Sequence, residues 1–148
     1  MNSTESAVIE GTLCKEVIIN APVSKVWKAL TEKEQIDQWF MPPENFKPEI
    51  GNTFKMTGSK DGVSYPHTCT ITEIIPEKIL AYTWSISAID GETLVTWELQ
   101  EMNSGTKLTL THSNWDKVKF NTTAISTNDY INGWNHFTNK LKEYSETL

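Results

Sequence analysis

Apolar and polar positions recur along this chain with two different periods, and the points where the period changes divide it into elements. Cys14 to Asn20, carrying Val17, Ile18 and Ile19, reads as a β-strand that stops at the turn residues Asn20-Ala21-Pro22. Pro22 suits the first turn of a helix, where its missing N–H leaves no bond unmade. Val23, Val26, Trp27 and Leu30 then fall at i, i+3, i+4 and i+7, which predicts a short amphipathic helix. Thr31-Glu32-Lys33-Glu34 has the form of a capping box, predicting a second helix that starts at Thr31 and turns Ile36, Trp39 and Phe40 inward. Pro42-Pro43 ends it, because proline cannot donate a helical hydrogen bond and disfavours helical geometry in the residue before it.

From Phe46 to Trp115 the period is two, interrupted at Gly51-Asn52, Asp61-Gly62, Pro76-Glu77, Asp90-Gly91 and Asn103-Ser104-Gly105, so five or six antiparallel strands are expected. Leu80, Tyr82 and Trp84 share one strand face, Val95, Trp97 and Leu99 the next, and Leu108, Leu110 and His112 the last. The opposite faces are mostly Thr, Glu, Lys and Ser, which fits a meander packed on one side and excludes a parallel sheet buried on both. From about Ser126 the period returns to that of a helix, with Tyr130, Trp134, Phe137, Leu141, Tyr144 and Leu148 on one stripe. Only a sheet face is large enough to cover it. The fold class is therefore α+β. A curved antiparallel sheet of about six or seven strands wraps a long C-terminal helix, with two short helices after the first strand, all in a single domain over 1–148.

Charge and cysteine usage narrow the partners. Thirteen Lys plus Arg against 19 Asp plus Glu give a net charge of −6, and no basic run appears, so nucleic acid and anionic membrane surfaces are not expected partners. No apolar window is long enough to span a bilayer and the start lacks a secretory pattern, which together predict a cytoplasmic protein. Cys14 and Cys69 form no C-x-x-C, and a disulfide is not expected in a reducing compartment.

Particular words accompany this element order: Ala21-Pro22 with Val26-Trp27-Lys28-Ala29-Leu30, Gln38-Trp39, Pro76-Glu77-Lys78-Ile79-Leu80 with Thr83-Trp84, Leu108 through Ser113, and Gly133-Trp134-Asn135 with Leu141 and Tyr144. In this order and spacing they resemble the START-like helix-grip superfamily, within it the family named for the activator of Hsp90 ATPase. Gly51-Asn52 stands where that family usually has two glycines, and Pro66-His67-Thr68 where a glycine often opens the third strand. The resemblance implies a deep cavity between sheet and C-terminal helix. It implies no particular activity, since similar proteins include ligand carriers, aromatases or cyclases, toxin-resistance proteins and co-chaperone domains.

Candidate chemistry is sparse. The chain lacks G-x-S-x-G, H-E-x-x-H, a P-loop and G-x-G-x-x-G. Of His67, His112 and His136, only His112 both points inward by alternation and lies in a family word; it is either a satisfied core histidine or a polar anchor in the cavity. His67 and Cys69 share a strand face but lack a third metal ligand, so neither a metal nor another cofactor is expected. Glu73, Glu98 and Glu101 fall on outward or edge positions and Asp37 on a solvated side, leaving no carboxylate pair for acid–base work.

The leading expectation is a non-enzymatic module that holds an apolar small molecule against Trp39, Phe40, Tyr82, Trp84, Trp97, His112, Trp134 and Phe137. Two rivals stand beside it. One is a co-chaperone-like partner of an Hsp90-type ATPase, weakened because the eukaryotic activators resemble this chain in only one half. The other is an aromatase- or cyclase-like enzyme acting on polyketide-type substrates with His112 transferring the proton. A homodimer is left open, without an exposed apolar stripe to support it.

Overall fold

Each run of period two becomes a strand and each run of helical period a helix. The computed structural model describes residues 8, 9 and 11–147. In chain order these form β1 (Val8–Ile9), β2 (Thr12–Ile19), α1 (Val23–Thr31), α2 (Lys33–Trp39), β3 (Thr53–Lys60), β4 (Val63–Ile75) and β5 (Ile79–Ile86). There follow β6 (Ile89–Asp90), β7 (Thr93–Met102), β8 (Gly105–Ser113), a 3-10 turn (Trp115–Lys117), β9 (Lys119–Phe120) and α3 (Thr127–Glu146). Seven strands pair antiparallel in the order β1-β2-β8-β7-β5-β4-β3, and β6 pairs with β9 apart from them. The expected helix-grip architecture is present.

Turn chemistry sets the register. Asp61 and Gly62 both take positive φ (52° and 81°), the geometry of a two-residue hairpin loop whose twist matches its strands, and this fixes Lys60 opposite Val63. Between Ile71 and Glu73 a bulge shifts the β4–β5 register and bends the sheet. The three inward triplets expected from alternation, on β5, β7 and β8, are all buried, and α1, α2 and α3 cover them.

On α3, Trp134 and Leu141 are buried whereas Tyr130, Phe137 and Tyr144 are half-buried. Thr138 and Ser145 share the buried line, so the deepest part of the stripe alternates large and small side chains. Leu148 lies outside the described residues. Ser126 and Asp129 form a capping box at the start of α3, with the Ser126 N–H donating to Asp129 at 2.8 Å.

The capping box expected at Thr31 does not form. Thr31 is the last residue of α1, and its hydroxyl donates to the Trp27 carbonyl one turn back at 2.8 Å. The extended residue that separates the two helices is Glu32, which caps α2 without a side-chain bond. A residue still in helical geometry cannot aim its side chain at the next helix's free amides, so the hydroxyl turns to its own helix instead.

Candidate functional site

The space under the sheet divides into a filled half and an open half. In the filled half Trp39 stacks on Phe40 with centroids 4.9 Å apart, and both meet Trp97 edge-on at 5.6 and 6.3 Å. Their polar atoms are used within the core: Trp39 Nε1 donates to the Ala29 carbonyl at 2.8 Å and Trp97 Nε1 to the Tyr82 hydroxyl at 2.9 Å. The gap among these rings is only ≈ 10 Å³, at most room for a single water. Trp39, Phe40, Tyr82 and Trp97 are thus gathered into solid packing.

The open half is a pocket of ≈ 400 Å³ between the β3–β4 edge and the N-terminal half of α3. Trp84, Trp134 and Phe137 line it. It also takes in Met41, Gly58, Lys60, Tyr65, His67 and Asp129, which the sequence did not mark as ligand-facing. One signal for His67 was present: it alternates with Cys69 and Ile71, both buried, and so belongs to the inner face of β4.

Two glycines keep this space free. A Cβ on Gly58 of β3 would lie 3.1 Å from His67 Cε1 and 3.2 Å from Met41 Sδ, so any side chain there would crowd both. On α3 the opposite holds at Gly133, where an added Cβ would meet nothing within 4 Å. A mid-helix glycine costs roughly 0.5–1 kcal/mol relative to alanine, and no packing contact here demands one.

His112 sits behind the pocket, outside its lining. The Trp134 indole can only donate, so at 3.0 Å the His112 Nδ1 accepts and the ring proton resides on Nε2. Nε2 in turn lies 2.6 Å from the Thr93 hydroxyl, which donates to the Trp84 carbonyl at 3.3 Å. Burial, reinforced by the neighbouring His67, lowers the His112 pKa to about 3. With one nitrogen accepting, the other donating and no contact with the pocket, this ring is the satisfied core histidine of the two readings. It has no free lone pair with which to take a substrate proton.

His67 differs. It is 5% exposed, its ring meets Trp84 edge-on at 4.7 Å, and Nδ1 is enclosed by protein. Burial lowers its pKa to about 4, outweighing the opposite effect of the Tyr65 and Met56 backbone, so the imidazole is neutral at pH 7. Trp84 also donates to the Tyr130 hydroxyl at 3.3 Å, joining the sheet wall to the helix wall.

At the rim, Lys60 at the end of β3 reaches Asp129 in the first turn of α3 at 2.9 Å and the Ala124 carbonyl at 2.7 Å. Burial alone would raise the Asp129 carboxyl; the bonds from Lys60 and Ser126 outweigh it and hold the group below its usual range. Cys69 is wholly buried and burial pushes its thiol up, away from the reactive thiolate. Among the described residues no group of three or more His, Cys, Asp or Glu is placed to hold a metal ion, and no helix is long and apolar enough to cross a membrane.

Comparison with known proteins agrees with this architecture. The family model described as Activator of Hsp90 ATPase homolog 1-like protein matches residues 20–146. No curated protein matches the chain. Among solved structures, a Mesorhizobium loti protein is 27% identical with a TM-score of 0.72, the match covering 90% of this chain and 95% of that one. A Chromobacterium violaceum protein is 18% identical with a TM-score of 0.77, covering 95% and 100%. CalU16 from Micromonospora echinospora is 22% identical with a TM-score of 0.70, covering 97% and 86%. At these identities the likeness is one of fold.

Proposed function

The chain belongs to the Activator of Hsp90 ATPase homolog 1-like family, and from that premise we propose that it binds a hydrophobic small molecule in the pocket between the sheet edge and α3, without catalysing a reaction. The observation that carries this reading is the ≈ 400 Å³ of space walled by Trp84, Trp134 and Phe137 beside a filled core. It lies in the size range of small-molecule sites, which bury an apolar ligand against aromatic walls with few polar groups. Gly133 is compatible with it, since it lines the same space and an added Cβ there would meet nothing within 4 Å.

Neither His112 nor Asp129 is placed as a catalytic group. His112 is fully bonded and off the pocket, while the Asp129 carboxylate is tied to Lys60 and to the cap of α3. A proton-transfer role for His112 on a polyketide-type substrate therefore has no geometric support.

The test is a titration with N-phenyl-1-naphthylamine, a neutral apolar fluorophore. Saturable one-to-one binding that changes on Trp84→Leu and is unaffected by Glu98→Gln, on the exposed sheet face, is the expected result. Absence of saturable binding to this and other neutral aromatic probes would overturn the proposal.

A further inference from the structure

Resting on the pocket reading above, we infer that the tip of the β3–β4 hairpin is a flap at the pocket mouth and that Lys60 is its latch, clasping α3 and so setting the rate at which a ligand enters and leaves. The register shows where the flap begins. Pairing of β4 with β5 ends at His67 opposite Ile86, the last residue of β5. Beyond that point residues 57–60 and 63–66 pair, among the described residues, only with each other, from Thr57 opposite Pro66 to Lys60 opposite Val63, at the free edge of the seven-stranded sheet. A two-stranded ribbon is marginally stable by itself, and Gly58 within this one weakens it further.

This ribbon forms one wall of the pocket. Gly58, Ser59 and Lys60 line it across from Asp129, Tyr130 and Gly133 of α3. Near the base of the ribbon Tyr65 packs against the small apolar cluster that includes Ile86, Trp115 and Ile125. At its tip the Lys60 ammonium donates to Asp129 Oδ1 at 2.9 Å, to Asp129 Oδ2 at 3.0 Å and to the Ala124 carbonyl at 2.7 Å, which matches its three N–H donors with three acceptors. The side chain thereby bridges the mouth from the sheet edge to the helix.

The anchor on α3 is itself fixed. Asp129 accepts the Ser126 N–H at 2.8 Å in the capping box, so its carboxylate stays with the helix when the ribbon lifts. Opening therefore breaks the Lys60 bonds. Both side chains are partly exposed, so the pair is weak enough to break and reform readily. Such a closure limits entry and exit alike, since a ligand passes only while the mouth is open.

Stopped-flow association and dissociation of N-phenyl-1-naphthylamine, together with hydrogen–deuterium exchange of the ligand-free protein, test the latch. The probe is neutral, so the Lys60 charge does not steer it. Lys60→Met keeps an unbranched stem without the charge, and Asp129→Asn keeps an oxygen for the Ser126 N–H. Each variant should raise the association rate constant about two- to fivefold, the range that exposed ion pairs span, and the dissociation rate constant with it. Loss of a binding contact alone would speed dissociation and leave association as it was. Amides of residues 58–64 should exchange faster by a similar factor in both variants, while those of β7 and β8 keep their rates. Either variant suffices if the other does not fold; should neither fold, wild-type association must rise as NaCl screens the pair. Unchanged association, a change in dissociation alone, or unchanged exchange over 58–64 overturns the inference and leaves the pocket reading standing. Absence of saturable fluorophore binding overturns both.

Discussion

The two buried histidines make stability fall with acid well before the carboxylates protonate. In the folded protein burial lowers His67 to a pKa of about 4 and His112 to about 3, whereas an unfolded chain returns both to about 6.5. As pH falls below 6.5 the unfolded state binds protons that the folded state refuses, so stability drops with falling pH and the loss levels off only near the folded values. At pH 5 each ring contributes about 2 kcal/mol of destabilisation relative to pH 7, at 1.36 kcal/mol per pKa unit, for about 4 kcal/mol together. Asp129 and Glu146, whose carboxyls are held low by their partners, lose stabilisation in a more acidic window and stay separate. Urea unfolding at pH 7, 6 and 5, followed by Trp fluorescence, reads the effect directly. His67→Leu should halve the drop between pH 7 and 5. A wild-type loss under about 1 kcal/mol across that interval, or an identical drop in His67→Leu, would show that these rings are not held neutral by burial.

Gly133→Ala should raise the unfolding free energy by roughly 0.5–1 kcal/mol, because the helix gains a better residue into open space, and should weaken fluorophore binding by narrowing the pocket. Stability and affinity must move in opposite directions. Trp134→Ala should cost about 3–5 kcal/mol, since it empties a buried site and strands His112 Nδ1; an unchanged urea midpoint would contradict the packing of α3. Ser126→Ala should cost about 0.5–2 kcal/mol through loss of the α3 capping box, and Thr31→Ala clearly less, because the Thr31 hydroxyl only bonds back into its own helix. Equal losses in the last two would refute that distinction.

Element type and inward face were legible in the chain because they depend on local periodicity. The alternation through Leu80, Tyr82 and Trp84 or Val95, Trp97 and Leu99 leaves only one face that can be buried, and the α3 stripe has only one sheet to cover it. Caps were legible only in part: Thr31 and Ser126 offer the same kind of hydroxyl, and the backbone angle that decides which one caps a helix depends on where the preceding element ends. The site was less legible still. Trp39, Phe40, Tyr82 and Trp97 share composition and phase with Trp84, Trp134 and Phe137, yet the first four interlock and the last three border open space. Alternation reports which side of a strand a residue occupies, and not how far apart two covering elements stand. The separation of β3 from α3, spanned at the rim by Lys60 and Asp129 and lined by Gly58, His67 and Gly133, arises from residues distant in sequence, and only their meeting in three dimensions makes a pocket of them.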